Sequence, residues 1–216
     1  MNSEKYTHGH HRSVTKAHSI RRASDSASFV LPRLKSPMRL LDFGCGPGTI
    51  TIDLAEHLLP DGSVVGIDNS SAVIDQALVG SAEKGTQNVS FEVRNIYDTG
   101  YDAETFDAVY AHQVLQHLSE PMKALSEARR VLKPRGICAV REVDWGTSAL
   151  WPLDERLIAF LDVYSRVAAR NGGDASAGRR LKEWFIQAEF SDLEVTTSNW
   201  SFSEQNGLKW WGEQWS

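Results

Sequence analysis

Short apolar runs and amphipathic segments alternate along most of this chain. Runs rich in β-branched and aromatic residues predict six strands, at 39–43, 63–68, 88–95, 106–115, 137–144 and 192–202. Apolar residues at helical spacing predict six helices, at 13–30, 49–59, 71–85, 120–136, 153–170 and 177–188. Strands that alternate with helices favour an α/β fold with a doubly wound, mostly parallel sheet and right-handed crossovers. The ligand crevice of such a sheet lies beyond the carboxyl ends of its strands.

Capping and turn residues set the expected boundaries of these elements. The stretch 31–37, LPRLKSP, is a proline-bounded linker before the first strand. Ser70 or Ser71 is suited to cap the third helix, and Gly85 to end it. Residues 134–136, Pro-Arg-Gly, predict the end of the fourth helix.

The composition is that of an ordinary globular domain. A chain of 216 residues with 41% hydrophobic and 24% charged residues can bury the core of one domain. It has no apolar run of about 18 residues and no apolar segment of the secretory type, so we expect neither a membrane span nor a signal peptide. Cys45 and Cys138 are too few for a disulfide scaffold, which predicts a reducing, cytoplasmic setting.

The net charge of −5 hides an uneven distribution. Residues 1–35 carry seven basic and two acidic residues, whereas the rest of the chain carries 16 basic and 26 acidic residues. A basic arm is typical of nucleic-acid binding. This arm has no dense block of Lys and Arg, however, and the acidic body would repel phosphates. We therefore expect no nucleic-acid partner.

The first predicted strand ends in a glycine-rich turn, LLDFGCGPGT. Gly44, Gly46 and Gly48 alternate there, and glycines let a backbone approach a ligand closely because they have no Cβ. The second predicted strand ends in Asp68, whose carboxylate is suited to accept both hydroxyls of a ribose. Together these features predict a nucleoside-containing ligand across the first two strands. The alternative is a plain tight turn followed by an aspartate at a strand end.

Three longer stretches carry a more specific signal. LLDFGCGPGTITIDLAE, VVGIDNS and FDAVYAHQVLQHLSEPMKALSEARRVLKPRG resemble the class I S-adenosylmethionine-dependent methyltransferases, and most closely the ubiquinone/menaquinone-biosynthesis-like methyltransferase superfamily. The resemblance covers residues 38–145 and is specific for the cofactor rather than the acceptor. It implies a Rossmann-like sheet, S-adenosyl-L-methionine as the cofactor, and methyl transfer to a small-molecule acceptor.

The resemblance also implies a division of the chain. Residues 1–35 form an N-terminal lid or helical arm, and 36–216 form the S-adenosylmethionine-binding methyltransferase domain, with 146–190 as a helical insertion on the acceptor side. The family's sheet has seven strands, yet only 14 residues follow Phe202, and they are poor in β-branched residues. We therefore expect this chain to lack the seventh strand, and the natural protein to continue beyond Ser216 or to be completed by a partner chain.

By position, the resemblance assigns cofactor contacts to the ends of the first four strands. The glycines and the cysteine among them would line the methionine and ribose portion, Asp42 would hold that loop and the amino group, and Asp68 would bind the ribose. Where the family usually has an aspartate for the adenine, this chain has Asn95, whose amide oxygen can accept the same hydrogen bond. The complete implied set is Asp42, Gly44, Cys45, Gly46, Gly48, Asp68, Asn69, Asn95, Ile96, His112 and Gln113.

The chemistry that the resemblance implies asks little of side chains. The sulfonium methyl group is already activated, so the protein has to align the nucleophile and exclude water. A general base is needed only if the acceptor must lose a proton. His112, beside the sulfonium, and His11, in the N-terminal segment, are the candidates for that base. A cofactor-loop role for His112 without proton transfer stays open.

Further candidates lie at strand five and at the two ends of the chain. Glu142 and Asp144 either bind a metal or a cationic acceptor together or form a solvated strand end. His8, His10 and His11 belong to a lid, a disordered arm or a metal site, and we expect no metal because no cysteine or acidic cluster accompanies them.

Tryptophans are abundant in the last third of the chain. Trp184, Trp200 and the C-terminal WWGEQWS either cap an apolar or aromatic acceptor or make core or homodimer contacts. Two other functions stay open at this point. One is a non-catalytic cofactor-binding homologue, and the other is a nucleotide-dependent oxidoreductase, against which the glycine spacing argues.

Overall fold

The computed structural model describes residues 21–214. Its centre is a sheet of five parallel strands in the order β3-β2-β1-β4-β5. The strands are β1 (Arg39–Phe43), β2 (Ser63–Asp68), β3 (Val89–Val93), β4 (Phe106–His112) and β5 (Leu132–Arg141). The strand order reverses direction between β1 and β4, and this point is where doubly wound sheets open a crevice for ligands.

Seven α-helices and three short 3₁₀ helices connect or follow the strands in the described residues. The α-helices are α1 (Ala23–Ser26), α2 (Thr49–His57), α3 (Ser71–Lys84), α4 (Pro121–Val131), α5 (Glu155–Arg170), α6 (Ala177–Gln187) and α7 (Gln205–Gln214). The 3₁₀ helices are Leu31–Arg33, Leu115–His117 and Trp145–Thr147. Among these described residues, no helix is both long and apolar enough to cross a membrane.

Both faces of the sheet are buried. Successive residues of a strand point to opposite faces, so Leu40 joins the cluster under α1 and α2 while Leu41 joins the cluster under α4. Both leucines are fully buried. A third cluster packs α6 against α4 through Phe185 and Leu125. The sheet therefore has the continuous apolar strands that are typical of a parallel sheet covered on both sides.

Several predicted boundaries are confirmed. β1 and β2 match the predicted runs, and α3 ends at Lys84, directly before Gly85, which has a φ of +70°. Ser70 precedes α3, but its side chain makes no capping bond. Its backbone N–H donates to Oδ1 of Asp68 at 3.0 Å instead. The helix boundary is thereby tied to the strand-end carboxylate.

The prediction that the fourth helix continues to residue 136 is wrong. α4 ends at Val131, and Leu132 already pairs with Phe106 of β4. The ladder resumes at Ile137, so the Lys-Pro-Arg-Gly stretch 133–136 is an irregularity within β5. Proline lacks a backbone N–H and therefore fits such a bulge. The same residue is common just after a helix, which is why the sequence predicted a helix end here.

The predicted sixth strand is also wrong in the part of the chain that the structure describes. Residues 192–202 contain β-branched and aromatic residues, but they form no ladder with any described strand. Val195 is 61% exposed, so the alternation in this stretch does not bury one face. The five strands named above are therefore the whole sheet as far as the described residues go.

The predicted helix 13–30 is only partly within the described residues. There it covers α1 alone, and residues 27–30 form a turn. Ala27, Val30 and Leu34 are nevertheless buried in the cluster under α2, and the hydroxyl of Tyr110 donates to the carbonyl of Ser26 at 2.8 Å. The segment immediately before β1 is thus part of the core.

Candidate functional site

The turn after β1 keeps an open space above the carboxyl ends of the strands. Gly44, Gly46 and Gly48 have φ values of +66°, +53° and +79°, which side chains rarely adopt. A Cβ at Gly48 would lie 2.7 Å from the Cβ of Ala77, and one at Gly44 would lie 2.6 Å from Val114. At Gly46 a Cβ would meet nothing within 4 Å. Gly46 therefore presents bare backbone to the crevice, whereas its neighbours are required for packing.

Asp68 joins this turn to the end of β2. Its Oδ2 accepts a hydrogen bond from the Gly46 N–H at 3.1 Å, and the Cys45 N–H donates to the carbonyl of Ile67 at 3.0 Å. A carboxylate accepts about four hydrogen bonds, so these backbone bonds are compatible with further bonds to two hydroxyls. Backbone that approaches a ligand, beside a partly exposed carboxylate, suits a nucleoside.

Asp42 lies inside the protein, below the turn. Its side chain is 3% exposed, and its Oδ2 accepts a 2.6 Å hydrogen bond from the Thr51 hydroxyl of α2. Burial raises the pKa of Asp42 to about 7, the Thr51 bond lowers it, and the nearby Asp68 carboxylate raises it further. Asp42 thus fixes the turn against α2, which agrees with the loop-holding part of its expected role.

The two cysteines are not activated nucleophiles. Burial raises the pKa of the Cys45 thiol well above its usual value, and the carboxylates of Asp42 and Asp68 raise it further. Burial also raises the pKa of Cys138 to about 12. Thiols are nucleophilic as thiolates, so Cys45 contributes shape to the turn rather than reactivity.

The residues expected at the adenine lie after β2 and β3. Asn69 and Asn95 are exposed, and Ile96 is half-buried. Asn95 Oδ1 accepts a 2.9 Å hydrogen bond from the Tyr97 N–H, so the amide oxygen already has a local partner. The Ile96 side chain packs against the core clusters under α4 and α6. Their contact with adenine stays a prediction.

His112 and Gln113 lie at the end of β4. His112 is 7% exposed, and its ring centroid lies 6.2 Å from that of Trp200. Gln113 has a φ of +55°, and its N–H donates to the carbonyl of Arg141 at 2.8 Å. Its Oε1 accepts from Arg21 at 2.7 Å. The segment after β4 is therefore held by β5 on one side and by the N-terminal segment on the other.

Glu142 directly follows β5 and binds the same segment. Its Oε1 accepts hydrogen bonds from the N–H groups of Val114, at 2.9 Å, and Leu115, at 2.7 Å. Burial raises the pKa of Glu142 to about 8, although these backbone bonds and the charge of Arg21 lower it. Sequence reasoning placed Glu142 at the crevice but missed this bridge, because nothing in the sequence links residue 142 to residues 114 and 115.

The expectation that Glu142 and Asp144 act as one pair is wrong. Asp144 binds Arg179 through two hydrogen bonds of 2.8 Å each and caps the 3₁₀ helix that begins at Trp145. The solvated-end alternative fails as well, since the Glu142 side chain is desolvated. In residues 21–214, no group of three or more His, Cys, Asp or Glu side chains could hold a metal ion.

Aromatic side chains cluster in the part of the chain that follows β5. Trp145 and Tyr164 have ring centroids 5.1 Å apart, and Phe160 lies 6.3 Å from Tyr164. Trp200 is 41% exposed, with the guanidinium of Arg141 4.8 Å from its ring centroid.

Of the remaining predicted residues, Trp184 lies in the core and the N-terminal histidines lie outside residues 21–214. Trp184 is 3% exposed and belongs to the core, which confirms the core alternative for that residue. His8, His10 and His11 lie outside the described residues, as does the whole of the expected lid at 6–14.

Comparison with known proteins assigns the family. A methyltransferase domain model matches residues 34–193. The chain is 32% identical over 213 residues to an uncharacterized methyltransferase of Schizosaccharomyces pombe, covering 95% of this chain and 76% of that protein. It is 37% identical over 146 residues to a probable methyltransferase of Aspergillus luteorubrus, covering 63% of this chain and 51% of that protein. The chain thus spans about half the length of the Aspergillus relative.

More distant relatives agree with the resemblance seen in the sequence. A demethylmenaquinone methyltransferase of Lactococcus lactis is 32% identical over 99 residues, which cover 46% of this chain and 39% of that protein. These relatives give no support to an oxidoreductase or to a non-catalytic homologue.

A solved structure supports the fold. A SAM-dependent methyltransferase from Aquifex aeolicus superposes with a TM-score of 0.56 at 23% identity, covering 68% of this chain and 84% of that one. The fold, the crevice at the switch point and the family match point the same way. The chain belongs to the methyltransferase domain family, with the Rossmann-like fold of class I methyltransferases and S-adenosylmethionine as its cofactor.

Proposed function

We propose that this chain transfers a methyl group from S-adenosylmethionine to a small-molecule acceptor by in-line displacement. The observation that carries the proposal is the pairing of the partly exposed Gly46 backbone with the Asp68 carboxylate at the switch point of the sheet. This arrangement suits the ribose and the methionine portion of the cofactor. When bound, the cofactor supplies an activated methyl group.

The chain's own residues would hold the cofactor and position the acceptor. Asp68 would accept the ribose hydroxyls, and the turn 44–48 would follow the methionine portion. Asn69, Asn95 and Ile96 would contact the adenine, and His112 and Gln113 would lie under the sulfonium. These assignments rest on position in the fold and on the match to the family.

We propose an apolar or aromatic acceptor. The support is the group of rings at Trp145, Phe160 and Tyr164 beyond β5, together with the partly exposed ring of Trp200. Aromatic rings gain from stacking on other rings. The helices α5 and α6, within the proposed insertion 146–190, would then form the acceptor side.

Proton removal is needed only for an acceptor whose nucleophile is protonated at the time of attack. His112 and His11 are the proposed bases for that case. We also propose that residues 6–14 close over the cofactor as a lid, and that the protein acts in the cytoplasm.

Self-association as a homodimer is a further proposal. Its support is a set of exposed apolar side chains on α5 and the loop before it: Trp151, Leu153, Ile158, Val163 and Val167. Light scattering after size exclusion tests it, and a single monomer mass at high concentration would contradict it.

The cofactor is tested by calorimetric titration with S-adenosylmethionine and, separately, with NAD. We expect binding of S-adenosylmethionine alone. Methyl transfer is tested with methyl-labelled S-adenosylmethionine over a panel of phenols, quinols, amines and thiols. Absence of S-adenosylmethionine binding would refute the proposed site. Binding without labelled product across the panel would favour a non-catalytic homologue.

A further inference from the structure

Glu142 is a buried carboxyl group at the edge of the cofactor crevice that the proposed contacts do not use. It follows the last residue of β5, next to the segment that follows β4. Its Oε1 is engaged by the N–H groups of Val114 and Leu115. Its Oε2 is also buried, and no donor of residues 21–214 meets it in normal hydrogen-bond geometry, although the N–H of Gln116 is near enough to lower the pKa of the carboxyl group. Burying a carboxylate oxygen without a partner is unfavourable unless a ligand supplies a positive charge or a hydrogen-bond donor.

The charged residues around Glu142 do not offset the cost of burying its carboxylate. Arg21, from the N-terminal segment, lowers the pKa of Glu142 less than burial raises it. Tyr110, from β4, is a titratable neighbour whose pKa is raised mainly by burial and also by the charges of Asp42 and Glu142. Arg141, the preceding residue in the chain, donates to the carbonyl of Asp25 and to Ser198. With a pKa of about 8, Glu142 therefore holds a proton for most of the time at neutral pH when the crevice has no ligand.

The cofactor and its product differ in charge at one atom. S-adenosylmethionine carries a positive sulfonium, whereas S-adenosylhomocysteine carries a neutral thioether, and their amino-acid and nucleoside portions are the same. A positive charge near a carboxyl group favours its ionised form. Glu142 holds Val114 and Leu115, in the segment that the proposed function places under the sulfonium.

We propose that Glu142 is the counter-charge of the methyl donor: it releases its proton to solvent when S-adenosylmethionine binds and takes a proton back when S-adenosylhomocysteine remains. The inference rests on the proposed function, because it needs the cofactor in this crevice. Its consequence is selectivity, since the ionised carboxylate stabilises the bound donor but not the bound product. Glu142 would thereby limit product inhibition.

Proton release tests the inference without an acceptor. Both ligands are titrated calorimetrically at pH 7 in two buffers of different ionisation enthalpy, which gives the protons released on binding. We expect the difference in proton release between S-adenosylmethionine and S-adenosylhomocysteine to be larger in the wild-type protein than in a Glu142→Gln variant. The α-amino group does not cancel between the two ligands, because the nearby sulfonium charge lowers its pKa in the donor only. The Glu142→Gln variant keeps this contribution, so subtracting its proton release isolates the part that comes from Glu142.

The selectivity has a defined pH dependence. The ratio of the Kd for S-adenosylhomocysteine to the Kd for S-adenosylmethionine, divided by the same ratio for Glu142→Gln, should rise with pH through the pKa of Glu142, about 8, and level off above it. The plateau should be about tenfold, the equivalent of one pKa unit of coupling. Glu142→Gln should keep only the difference in proton release that the α-amino groups of the ligands contribute. Glu142→Asp should retain part of both effects. Asp144→Asn is the matched control, because it changes a nearby strand-end carboxylate that is paired with Arg179, and it should behave as wild type.

The outcomes separate this inference from the proposed function. If the difference in proton release between the two ligands is the same in the wild-type protein and in Glu142→Gln, the role of Glu142 is overturned and the proposed cofactor site stands. Failure of the wild-type protein to bind S-adenosylmethionine removes both. If Glu142→Gln does not fold, Glu142→Asp takes its place, and a difference in proton release equal to that of the wild-type protein overturns the role of Glu142.

Discussion

The backbone N–H of Gly46 donates a 3.1 Å hydrogen bond to Oδ2 of Asp68, and this bond joins the turn after β1 to the end of β2. The second oxygen of Asp68 accepts from the N–H of Ser70 at the start of α3. One carboxylate therefore fixes the turn, the strand end and the helix start. Any ligand that binds Asp68 meets an acceptor whose direction is already set by the backbone.

Asp68→Ala should weaken binding of S-adenosylmethionine by about 1–3 kcal/mol, or about 5–150-fold, because a charged hydrogen-bond acceptor is lost. Calorimetric titration measures the change. Asp75→Ala is the control, since Asp75 is an exposed residue of α3 and should leave the affinity unchanged. An Asp68→Ala variant that binds as tightly as wild type would remove Asp68 from the site.

Two glycine substitutions should separate packing from binding. Gly46 and Gly48 both have positive φ, so replacing either with alanine should lower the free energy of unfolding by about 1–2 kcal/mol through backbone strain. Only Gly48→Ala also drives a Cβ into Ala77 and Phe91, which adds about 1–3 kcal/mol of overpacking. Urea denaturation should therefore show the larger loss of stability for Gly48→Ala. Gly46→Ala should mainly weaken cofactor affinity, and equal effects of both on stability would contradict this assignment.

Asp42 should make the cofactor-free protein less stable as the pH rises. Its pKa is raised to about 7 in the folded state from an ordinary value of 3.8, so the folded state binds more protons than the unfolded state between these values. The corresponding stability is fully present below pH 3.8 and is lost as the pH rises through about 7.

The comparison with Asp42→Asn isolates this effect from acids such as Asp107, whose pKa is lowered and which act in the opposite direction. The free energy of unfolding of wild type, relative to Asp42→Asn, should decrease between pH 5 and pH 8. Urea denaturation at both pH values measures it. A difference that does not change with pH would mean that Asp42 is ionised in the folded protein throughout this range.

Deleting residues 1–12 should reduce turnover more than it lowers the Tm. The physical reason is that the buried residues of the N-terminal segment begin at Ala23, among those that the structure describes, so the core contacts remain. His11→Ala in the full chain is the companion variant, because it removes the titratable imidazole but keeps the other residues of the proposed lid. Intact turnover in the deletion variant would mean that these residues are not a lid.

How much the sequence could predict depends on where a residue's partners lie. β1, β2 and the end of α3 follow from local apolar runs and from Gly85, so they could be predicted. The bulge at 133–136 could not be predicted, because Pro-Arg-Gly is also a common end of a helix. Only the pairing of Leu132 with Phe106 shows that the stretch belongs to a strand.

The candidate site shows the same division. Gly46 and Asp68 were found from spacing along the chain. The bridge from Glu142 to Val114 and Leu115 joins two strand ends that lie far apart in sequence. The stretch 192–202 failed as a strand for a related reason, since strand formation needs a neighbour to pair with, and β-propensity says nothing about that neighbour.

Arg141 holds two distant segments with one side chain. Its Nη1 donates to the carbonyl of Asp25 at 2.8 Å, and its Nη2 donates to Oγ of Ser198 at 2.7 Å. The segments before β1 and after α6 therefore share an anchor and should open together rather than independently. In an Arg141→Met variant, amide hydrogen exchange near residues 25 and 198 should accelerate in both places by similar factors. A ligand that orders one segment would then also order the other, although the two are separated by most of the length of the chain.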